Sequence, residues 1–367
     1  MVKKKLDRFF KNVIKGKKRG FISSLIKMIL LPFSWGYHFG VKCRNALYDW
    51  GLMRRYVPPI PLVISIGNIV AGGTGKTPLT LKIAEAFYNR YLIAILSRGY
   101  RSKAEKLETP IVLCQGAGPL YPAAYCGDEP FLFAQRLPKA LVIVNADRKK
   151  SSLIAAKAGV QVVLLDDALQ HRSFARDFEV IVVDVGDPFG QGYFLPRGFL
   201  RDELKALSRA DLIVLSHAEN VEQRELVKDQ IKVYSNTPIV SMQEKVTAVR
   251  DFSGSDVEVP QNTPVGMFCG IANPDYFRKT LETMGLRVVC ENILQDHQPI
   301  SEKELEKFAQ VGIKKGAQWI VCTEKDRVKL PDYLFTSLPI VWVQIDLEII
   351  DGMEEWSKFI KNAELKI

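Results

Sequence analysis

From residue 60 onward, short apolar runs alternate along the chain with stretches of helical length. The runs are continuously apolar and do not alternate in polarity, which is typical of parallel strands covered by helices on both faces. The intervening segments 78–90 and 151–159 have the composition and length of helices. The pattern therefore predicts an α/β fold around a parallel sheet. Its predicted strands are residues 62–69, 92–100, 141–147, 160–167, 178–185 and 211–217.

A second and shorter α/β series begins near residue 262, after the turn-rich segment 251–264. One of its helices should begin at Ser301, because Ser301 and Glu304 have the spacing of a capping box. The strand-like segment 238–250 would connect the two series.

The first 55 residues carry the net positive charge of the chain. They hold 14 Lys and Arg residues against two acids, Asp7 and Asp49, a balance of +12, whereas the rest of the chain holds 37 basic and 39 acidic residues. A protein that grips nucleic acid usually carries its positive charge on the folded body, so we predict no nucleic-acid partner. We predict membrane-associating helices in 1–55, a core over 56–250 and a smaller α/β domain over 251–367.

The basic segment also has a helical pattern. Lysines and arginines occupy most positions between the members of one apolar face, which is typical of a helix lying on a membrane surface. The apolar face consists of Leu6, Phe9, Phe10, Val13 and Ile14.

The next run, 21–41, is long and apolar, but Lys27, Pro32 and His38 interrupt it. It is therefore a weaker candidate for a membrane-spanning helix than for a helix in the interface. The alternative interpretation is a solvated tag followed by an ordinary core helix. We predict monotopic attachment to an anionic membrane surface.

The six cysteines are far apart and form no CxxC pair, so we predict reduced thiols in a cytoplasmic compartment.

The strongest chemical signal is a glycine-rich loop placed after a predicted strand and before a predicted helix. Val70 stands where the usual phosphate-loop spacing has glycine, but the loop keeps its other glycines, its lysine and its threonine. In such a loop backbone N–H groups wrap phosphates, the lysine contacts them, and the threonine hydroxyl ligates Mg²⁺. The alternative is a glycine-rich turn that binds no nucleotide. The predicted nucleotide-binding residues are Gly72, Gly73, Thr74, Gly75, Lys76 and Thr77.

Asp166 and Asp167 end an unbroken apolar strand. With the phosphate loop upstream, their carboxylates are candidate ligands of Mg²⁺ beside Thr77. Taken alone, an Asp pair at a strand end more often forms a turn or a helix cap.

Ten short motifs, in order and spacing, resemble the tetraacyldisaccharide 4′-kinase family, whose members phosphorylate the lipid A precursor at the bacterial inner membrane. The motifs are RNALYDWGL (44–52), IGNIVAGGTGKTP (66–78), SRGYR (97–101), CGDEP (126–130), NADR (145–148), DDALQHR (166–172), LPRGFLRD (195–202), GIANPDYF (270–277), QDHQP (295–299) and TEKDRVKL (323–330).

The resemblance implies a P-loop NTPase-like kinase core, ATP and Mg²⁺ as cofactors, a lipid A disaccharide acceptor and a location at the cytoplasmic face of the inner membrane. It implies no obligatory protein partner. It also points to Asp128 as the base for the acceptor hydroxyl and to His297 as its orienting or proton-accepting partner, with Lys76 neutralising charge. Without the resemblance, Asp128 would be a helix N-cap and His297 a loop histidine.

Further residues in the matching motifs have expected roles. Gln170 and His171 are expected to reach the nucleotide or the water bound to Mg²⁺, although a capping or core role is equally plausible for the histidine. Four arginines are expected to bind anionic oxygens of ATP or acceptor, since guanidinium matches them in a bidentate manner. These are Arg98, Arg148, Arg197 and Arg201. The sequence assigns no role to Glu324, Asp326 and Lys329.

Departures from the family pattern affect the acceptor more than the nucleotide. Residues 168 and 169 are Ala-Leu where the family usually has Gly-Phe, and the 295–299 motif lacks a second histidine. Arg197 and Asp202 stand where many members have alanine and glutamate.

The rival function is a membrane-associated P-loop ATPase or GTPase switch of the positioning, targeting or metallochaperone type. Ala71 stands where such ATPases place a lysine, and SHAEN (216–220) stands where a GTPase would read guanine with NKxD. Both features favour the kinase.

Overall fold

The structure is a computed structural model and describes residues 9, 10, 12–16, 18, 20–295, 298, 300–331 and 335–367. The chain forms two compact units, each built from separate segments. The first comprises residues 1–98, 145–243 and 348–367, and the second comprises residues 99–144 and 244–347.

Helices and strands alternate over most of the described chain. The strands are β1 (Leu62–Asn68), β2 (Ile93–Ser97), β3 (Ile111–Gln115), β4 (Leu141–Val144), β5 (Val162–Asp166), β6 (Phe178–Asp184), β7 (Leu212–Ser216), β8 (Ile239–Arg250), β9 (Pro264–Cys269), β10 (Arg287–Ile293), β11 (Trp319–Thr323) and β12 (Ile340–Asp351). The α-helices are α1 (Phe21–Asp49), α2 (Lys76–Tyr88), α3 (Ala123–Cys126), α4 (Asp128–Arg136), α5 (Arg148–Lys157), α6 (Val221–Lys232), α7 (Pro274–Thr283), α8 (Glu302–Lys314), α9 (Glu324–Arg327) and α10 (Met353–Glu364).

In the first unit the strands are parallel and neighbour one another in the order β8, β7, β6, β1, β5, β2. Strands β1, β5 and β7 are buried along their whole length, as the continuous apolar runs predicted. Helix α2 buries Leu79, Ile83 and Phe87 and packs against β1, β2 and β5. The predicted parallel sheet is confirmed, and its carboxyl edge carries the loop that follows β1.

In the second unit β10, β9, β11 and β12 are parallel neighbours in that order, and β3 pairs antiparallel with β4. The predicted capping box at the start of α8 is confirmed. Glu304 N donates to Ser301 Oγ at 3.3 Å, and Ser301 N donates to Glu304 Oε2 at 3.1 Å. These reciprocal bonds satisfy backbone donors that have no partner within the helix.

The compact units do not follow continuous stretches of sequence. Residues 99–144 group with 244–347, and the C-terminal helix α10 groups with the first unit. The predicted domains 1–55, 56–250 and 251–367 are continuous segments, so they cannot be matched one to one with these units. They stay a prediction. Neither β3 nor α10 was predicted from the sequence pattern.

Helix α1 buries Val41 and three polar residues, and it exposes most of its large apolar side chains. Ser23, Ser34 and Asn45 are buried, whereas Phe21, Phe33 and Phe39 are exposed to 84%, 65% and 70%. The Ser34 hydroxyl donates to Phe194 O at 2.8 Å, and Asn45 Nδ2 donates to Asp202 Oδ1 at 2.8 Å. This is the reverse of an ordinary amphipathic surface helix, and it leaves a large apolar face uncovered.

The helix runs through Pro32 without ending. Residues 9, 10 and 12–14 before it are helical, as the predicted amphipathic pattern requires. The remaining predicted apolar residue, Leu6, lies outside the described residues. Within the described parts of the chain, no helix combines the length and hydropathy needed to cross a membrane.

All six cysteines are free thiols; Cys43 is exposed and the other five are buried.

Candidate active site

The glycine-rich loop connects the carboxyl end of β1 to the first turn of α2. Gly72 and Gly75 have φ angles of 132° and 82°, in the region that favours glycine. A Cβ on Gly75 would also lie 3.3 Å from Ser216 Cβ. Both backbone angle and space therefore require glycine at position 75.

Thr74 anchors the loop to two neighbouring strand ends. Asn68 Nδ2 donates to Thr74 Oγ1 at 2.7 Å, and Ser216 Oγ donates to Thr74 O at 2.9 Å. Thr74, Asn68 and Ser216 are all buried. These bonds fix the loop in one conformation, which is a requirement for a preorganised phosphate site. Sequence analysis missed Asn68 and Ser216; the available signal was a polar residue at the end of an apolar strand.

Lys76 is the first residue of α2, followed by Thr77. Its Nζ lies 3.5 Å from Gly72 O and 3.7 Å from Asp167 Oδ1. The ammonium therefore folds back over the loop, at the N-terminal end of a helix, where backbone N–H groups and the helix dipole favour anions.

Asp166 lies at the carboxyl end of β5, directly beside β1, where it pairs in register with Ile66. The Ser97 hydroxyl donates to Asp166 Oδ2 at 2.9 Å, and the residue is buried. The predicted proximity of this acid to the β1 loop follows from the parallel pairing, because adjacent parallel strands end at the same edge.

Asp167 continues the strand end with a φ of 48°. Arg201 Nη2 and Nη1 donate to its two carboxylate oxygens at 2.7 and 3.1 Å. Although burial raises the pKa of Asp167, the positive charges of Lys76 and Arg201 hold that pKa well below its usual range. Asp167 is therefore ionised and shared by two cations.

Arg201 also bonds the end of β1, since its Nη2 donates to Asn68 Oδ1. It thereby connects the 195–202 motif to both the phosphate loop and the acidic strand end.

Arg148 is buried, at the first position of α5. Its Nη1 donates to Asn145 O at 2.8 Å and its Nη2 to Asp166 O at 3.0 Å. Burial lowers the pKa of Arg148 to about 10, so the guanidinium remains charged at neutral pH. It fixes the backbone beside Asp166, and its predicted contact with ATP or acceptor oxygens stays a prediction.

Gln170 and His171 follow the acidic pair. Gln170 Nε2 donates to Asn68 O at 2.9 Å, which holds this residue against the end of β1. Burial and the nearby charges of Arg148 and Arg176 lower the pKa of His171 to about 4, so its imidazole is neutral at physiological pH.

The two other predicted arginines have different surroundings. Arg98 directly follows β2 and is exposed. The guanidinium carbon of Arg197 lies 3.6 Å from the centroid of the Tyr193 ring, a cation–π arrangement.

Asp128 belongs to the second unit, where it is the first residue of α4. The N-cap is Gly127, so the alternative interpretation of Asp128 as the cap is off by one position. Lys329 Nζ lies 3.7 Å from Asp128 Oδ2. His297 lies outside the described residues.

The donor atoms at the loop fit a hard cation. The Thr77 hydroxyl and the Asp166 carboxylate are oxygen donors of the kind that Mg²⁺ prefers. In the part of the chain that the structure describes, no group of three or more His, Cys, Asp and Glu residues is arranged to hold a metal. Mg²⁺ is commonly held by one or two such protein ligands together with substrate phosphates.

A fixed phosphate loop at the carboxyl edge of a parallel sheet, with a lysine at the helix start and an acidic neighbouring strand, defines a P-loop α/β protein that binds nucleotide phosphates. A family model described as tetraacyldisaccharide-1-P 4′-kinase matches residues 26–364. The chain belongs to the tetraacyldisaccharide 4′-kinase family, as the sequence motifs indicated.

Individual relatives match over nearly the whole chain. The tetraacyldisaccharide 4′-kinase of Anaeromyxobacter dehalogenans is 37% identical, over 92% of this chain and 90% of that protein. The enzyme of the same name from Pelodictyon phaeoclathratiforme is 31% identical, over 92% of this chain and 98% of that protein. The crystal structure of LpxK from Aquifex aeolicus in complex with ATP is 28% identical, with a TM-score of 0.73 over 92% of this chain and 99% of that one. These relatives favour the kinase over the switch protein.

Proposed function

We propose that this chain transfers the γ-phosphate of ATP to the 4′-hydroxyl of the tetraacyldisaccharide 1-phosphate precursor of lipid A. The observation that carries the proposal is the anchored loop around Thr74, with Lys76 over it, in a chain that matches 4′-kinases over 92% of its length. The loop is the basis for the phosphate site, and the acceptor is inferred from the family to which the chain belongs.

In this proposal residues 72–77 hold the triphosphate through backbone N–H groups and the Lys76 ammonium. Thr77 and Asp166 hold Mg²⁺, which neutralises charge on the phosphates when bound. The role of Asp167 as a metal ligand stays a prediction. Its bonds to Arg201 add another role, which is to hold two cations beside the loop.

Asp128 is the proposed base. As the 4′-oxygen forms its bond to the γ-phosphorus, the bond from that phosphorus to the β–γ bridging oxygen breaks and ADP leaves. The hydroxyl proton passes to the carboxylate of Asp128, with His297 as its partner. Phosphoryl transfer needs positioning and charge neutralisation more than covalent help, so most of the acceleration is assigned to Lys76 and its surroundings.

The remaining polar residues are assigned to binding. Gln170 and His171 would contact the nucleotide side of the site, and the neutral imidazole of His171 would act as a hydrogen-bonding group and not as a charge. The four arginines would bind anionic oxygens of ATP and of the acceptor's 1-phosphate, with Arg201 assigned to the nucleotide because of its contact with Asn68. The other three are Arg98, Arg148 and Arg197.

We also infer that the enzyme acts at the anionic cytoplasmic face of the inner membrane. The exposed apolar side chains of α1 support this inference, because they form a face that water does not favour. The +12 balance of residues 1–55 supports it further, since basic residues near a surface are attracted to anionic lipids. The acyl chains of the proposed acceptor reside in the same layer.

The test is a phosphorylation assay with detergent-dispersed tetraacyldisaccharide 1-phosphate and γ-labelled Mg-ATP. We expect label in the lipid with the wild type and none with Lys76→Ala, which removes the ammonium from the loop. ATP hydrolysis that ignores the lipid and yields no labelled product would support the switch function instead.

A further inference from the structure

The segment that follows β11 packs against helix α4. Helix α9 packs against α4, and buried Val328 packs with Leu132 and Ala123. Three charge pairs connect the same elements. They are Arg136 with Glu324, at 3.1 Å, Lys325 with Glu129, at 3.2 Å, and Lys329 with Asp128, at 3.7 Å.

Of these three basic side chains, Lys329 is the most deeply buried, with only 6% of its surface exposed. Its Nζ donates to Asp326 Oδ1 at 2.9 Å and to Gly270 O at 3.3 Å. A buried ammonium is stable only when it is paired and hydrogen-bonded. Lys329 is therefore held at one place, next to the first residue of α4.

Asp326 is in turn fixed by bonds of its own. Gly270 N donates to both of its carboxylate oxygens at 3.0 Å, and the Thr323 hydroxyl donates to Oδ2 at 2.7 Å. A Cβ at Gly270 would lie 3.1 Å from Asp326 Oδ1, so the close approach depends on glycine. The motif that begins at Thr323 thus holds the Lys329 ammonium in a fixed position.

We propose that Lys329 is a positioning residue for the phosphoryl transfer: its fixed ammonium orients the Asp128 carboxylate to accept the acceptor's proton. This inference rests on the proposed function, in which Asp128 is the base. Lys329 is not the base itself, because a protonated amine has no free lone pair with which to accept a proton.

The other charge pairs show that docking alone does not require this ammonium. Arg136 with Glu324 and Lys325 with Glu129 already join the two elements. Neither of these two pairs includes Asp128. A lysine that served only to hold the helices together would not need to be buried and directed at that carboxylate.

The groups nearest to Asp128 in the chain do not replace Lys329. Glu129 is paired with Lys325, and Asp326 is bonded to Lys329. Burial raises the pKa of Cys126 to about 12, so the thiol is neutral. Loss of Lys329 therefore removes the ammonium that holds the Asp128 carboxylate in place.

The experiment compares the steady-state kinetics of Lys329→Met, Lys329→Arg and Lys325→Met in the lipid phosphorylation assay. For Lys329→Met we expect kcat to fall roughly tenfold or more, because the base is no longer held in place. The KM for ATP should not change, because the nucleotide residues are untouched. Lys329→Arg should restore most of the lost kcat, and Lys325→Met should keep the wild-type kcat.

A Lys329→Met enzyme whose kcat falls only in proportion to its folded fraction, or whose loss of kcat is not rescued by Lys329→Arg, would overturn the inference. If Lys329→Met is not recovered folded, Lys329→Gln replaces it, because the amide can still donate to Gly270 O without a charge. The proposed function fails separately: either the wild type labels no lipid, or Asp128→Asn retains full kcat.

Discussion

Arg201 and Asp167 form a bidentate ion pair at the edge of the parallel sheet, with N–H···O distances of 2.7 and 3.1 Å. Lys76 approaches the same carboxylate to 3.7 Å. Two cations thus share one anion beside the phosphate loop. The oxygens of a bound triphosphate would compete with Asp167 for both cations.

We expect Arg201→Met to weaken ATP binding by roughly tenfold, since one charge-assisted contact is worth about 1.5–3 kcal/mol. The variant also frees the Asp167 carboxylate from Arg201, so that it competes more strongly with phosphate for the Lys76 ammonium. Arg201→Lys should recover only part of the affinity, because an ammonium cannot form the bidentate bond. The measurement is the Kd for ATP by calorimetry without acceptor.

The matched control is Arg90→Met, which breaks another Arg–carboxylate pair in the same unit, with Glu364. The Arg90 side chain is 54% exposed and neither residue of the pair belongs to the phosphate loop, so the Kd should be unchanged. Wild-type affinity in Arg201→Met would remove Arg201 from the nucleotide site.

Asp128→Asn should lower kcat by roughly 10²–10⁴, the usual contribution of a positioned base. The KM for ATP should change little, because the base acts only in the transition state. Steady-state kinetics of lipid phosphorylation measure both constants. Asp275→Asn is the control, since it also removes an acid from the first turn of a helix in the same unit. A raised KM with wild-type kcat would contradict the role of base.

The exposed face of α1 predicts membrane binding through apolar side chains. Phe33→Ser combined with Phe39→Ser should weaken binding to anionic phospholipid vesicles at least about tenfold, because a buried Phe contributes roughly 1.5–3 kcal/mol. Vesicle co-sedimentation measures the effect. Deleting residues 1–20 should weaken binding most strongly at low salt, where basic residues are least screened.

The control for the apolar face is Leu226→Ser combined with Val233→Ser, at residues 60% and 76% exposed, on or next to α6. These changes should leave vesicle binding unaltered. Equal losses in both double variants would show that surface apolarity in general, and not α1, drives association. Binding of the 1–20 deletion that is independent of salt would contradict an electrostatic contribution.

His171 predicts a pH dependence of stability. Its pKa is lowered from 6.5 to about 4 by burial and by Arg148, so the unfolded chain takes up the proton first as the pH falls. The free energy of unfolding should therefore decrease as the pH falls from 6.5 to about 4, and it should stay constant above that range. His171→Gln should show a smaller decrease, by on the order of 1 kcal/mol once screening of the partly exposed ring is allowed for.

Urea unfolding at neutral and acidic pH measures this difference. At neutral pH the imidazole is uncharged in both states, so the gap between variant and wild type there reports packing alone. Stability curves that run parallel down to pH 4 would show that the ring is not shielded in the folded protein.

The phosphate loop was predictable because its signal is local. An apolar strand, a glycine-rich turn ending in Lys76 and Thr77, and a helix stand next to one another in the chain. The neighbouring Asp166 was also predictable, since parallel strands end at one edge of a sheet. The pairings of these residues were not, because Ser216 and Arg201 come from distant segments whose side chains meet the loop and the acidic strand end only after folding. The contact of Asn68, at the end of β1 itself, is a side-chain bond that the sequence pattern does not reveal.

In the N-terminal helix, too, the local pattern was predictable and the tertiary contacts were not. Its apolar and polar positions were readable from the sequence, but periodicity does not reveal which face meets protein. The structure buries Ser34 and Asn45 because Phe194 O and Asp202 offer them hydrogen bonds.

The sequence by itself determined the parallel strands around the phosphate loop, the loop itself, the position of the basic segment and the family. These depend on short-range periodicity and on residue types at fixed spacing. Tertiary structure alone decided that Arg201 shares Asp167 with Lys76 and that Lys329 lies beside Asp128. Such pairs are chosen by packing between distant segments, and for the buried Lys329 an unpaired charge would be too costly to leave alone.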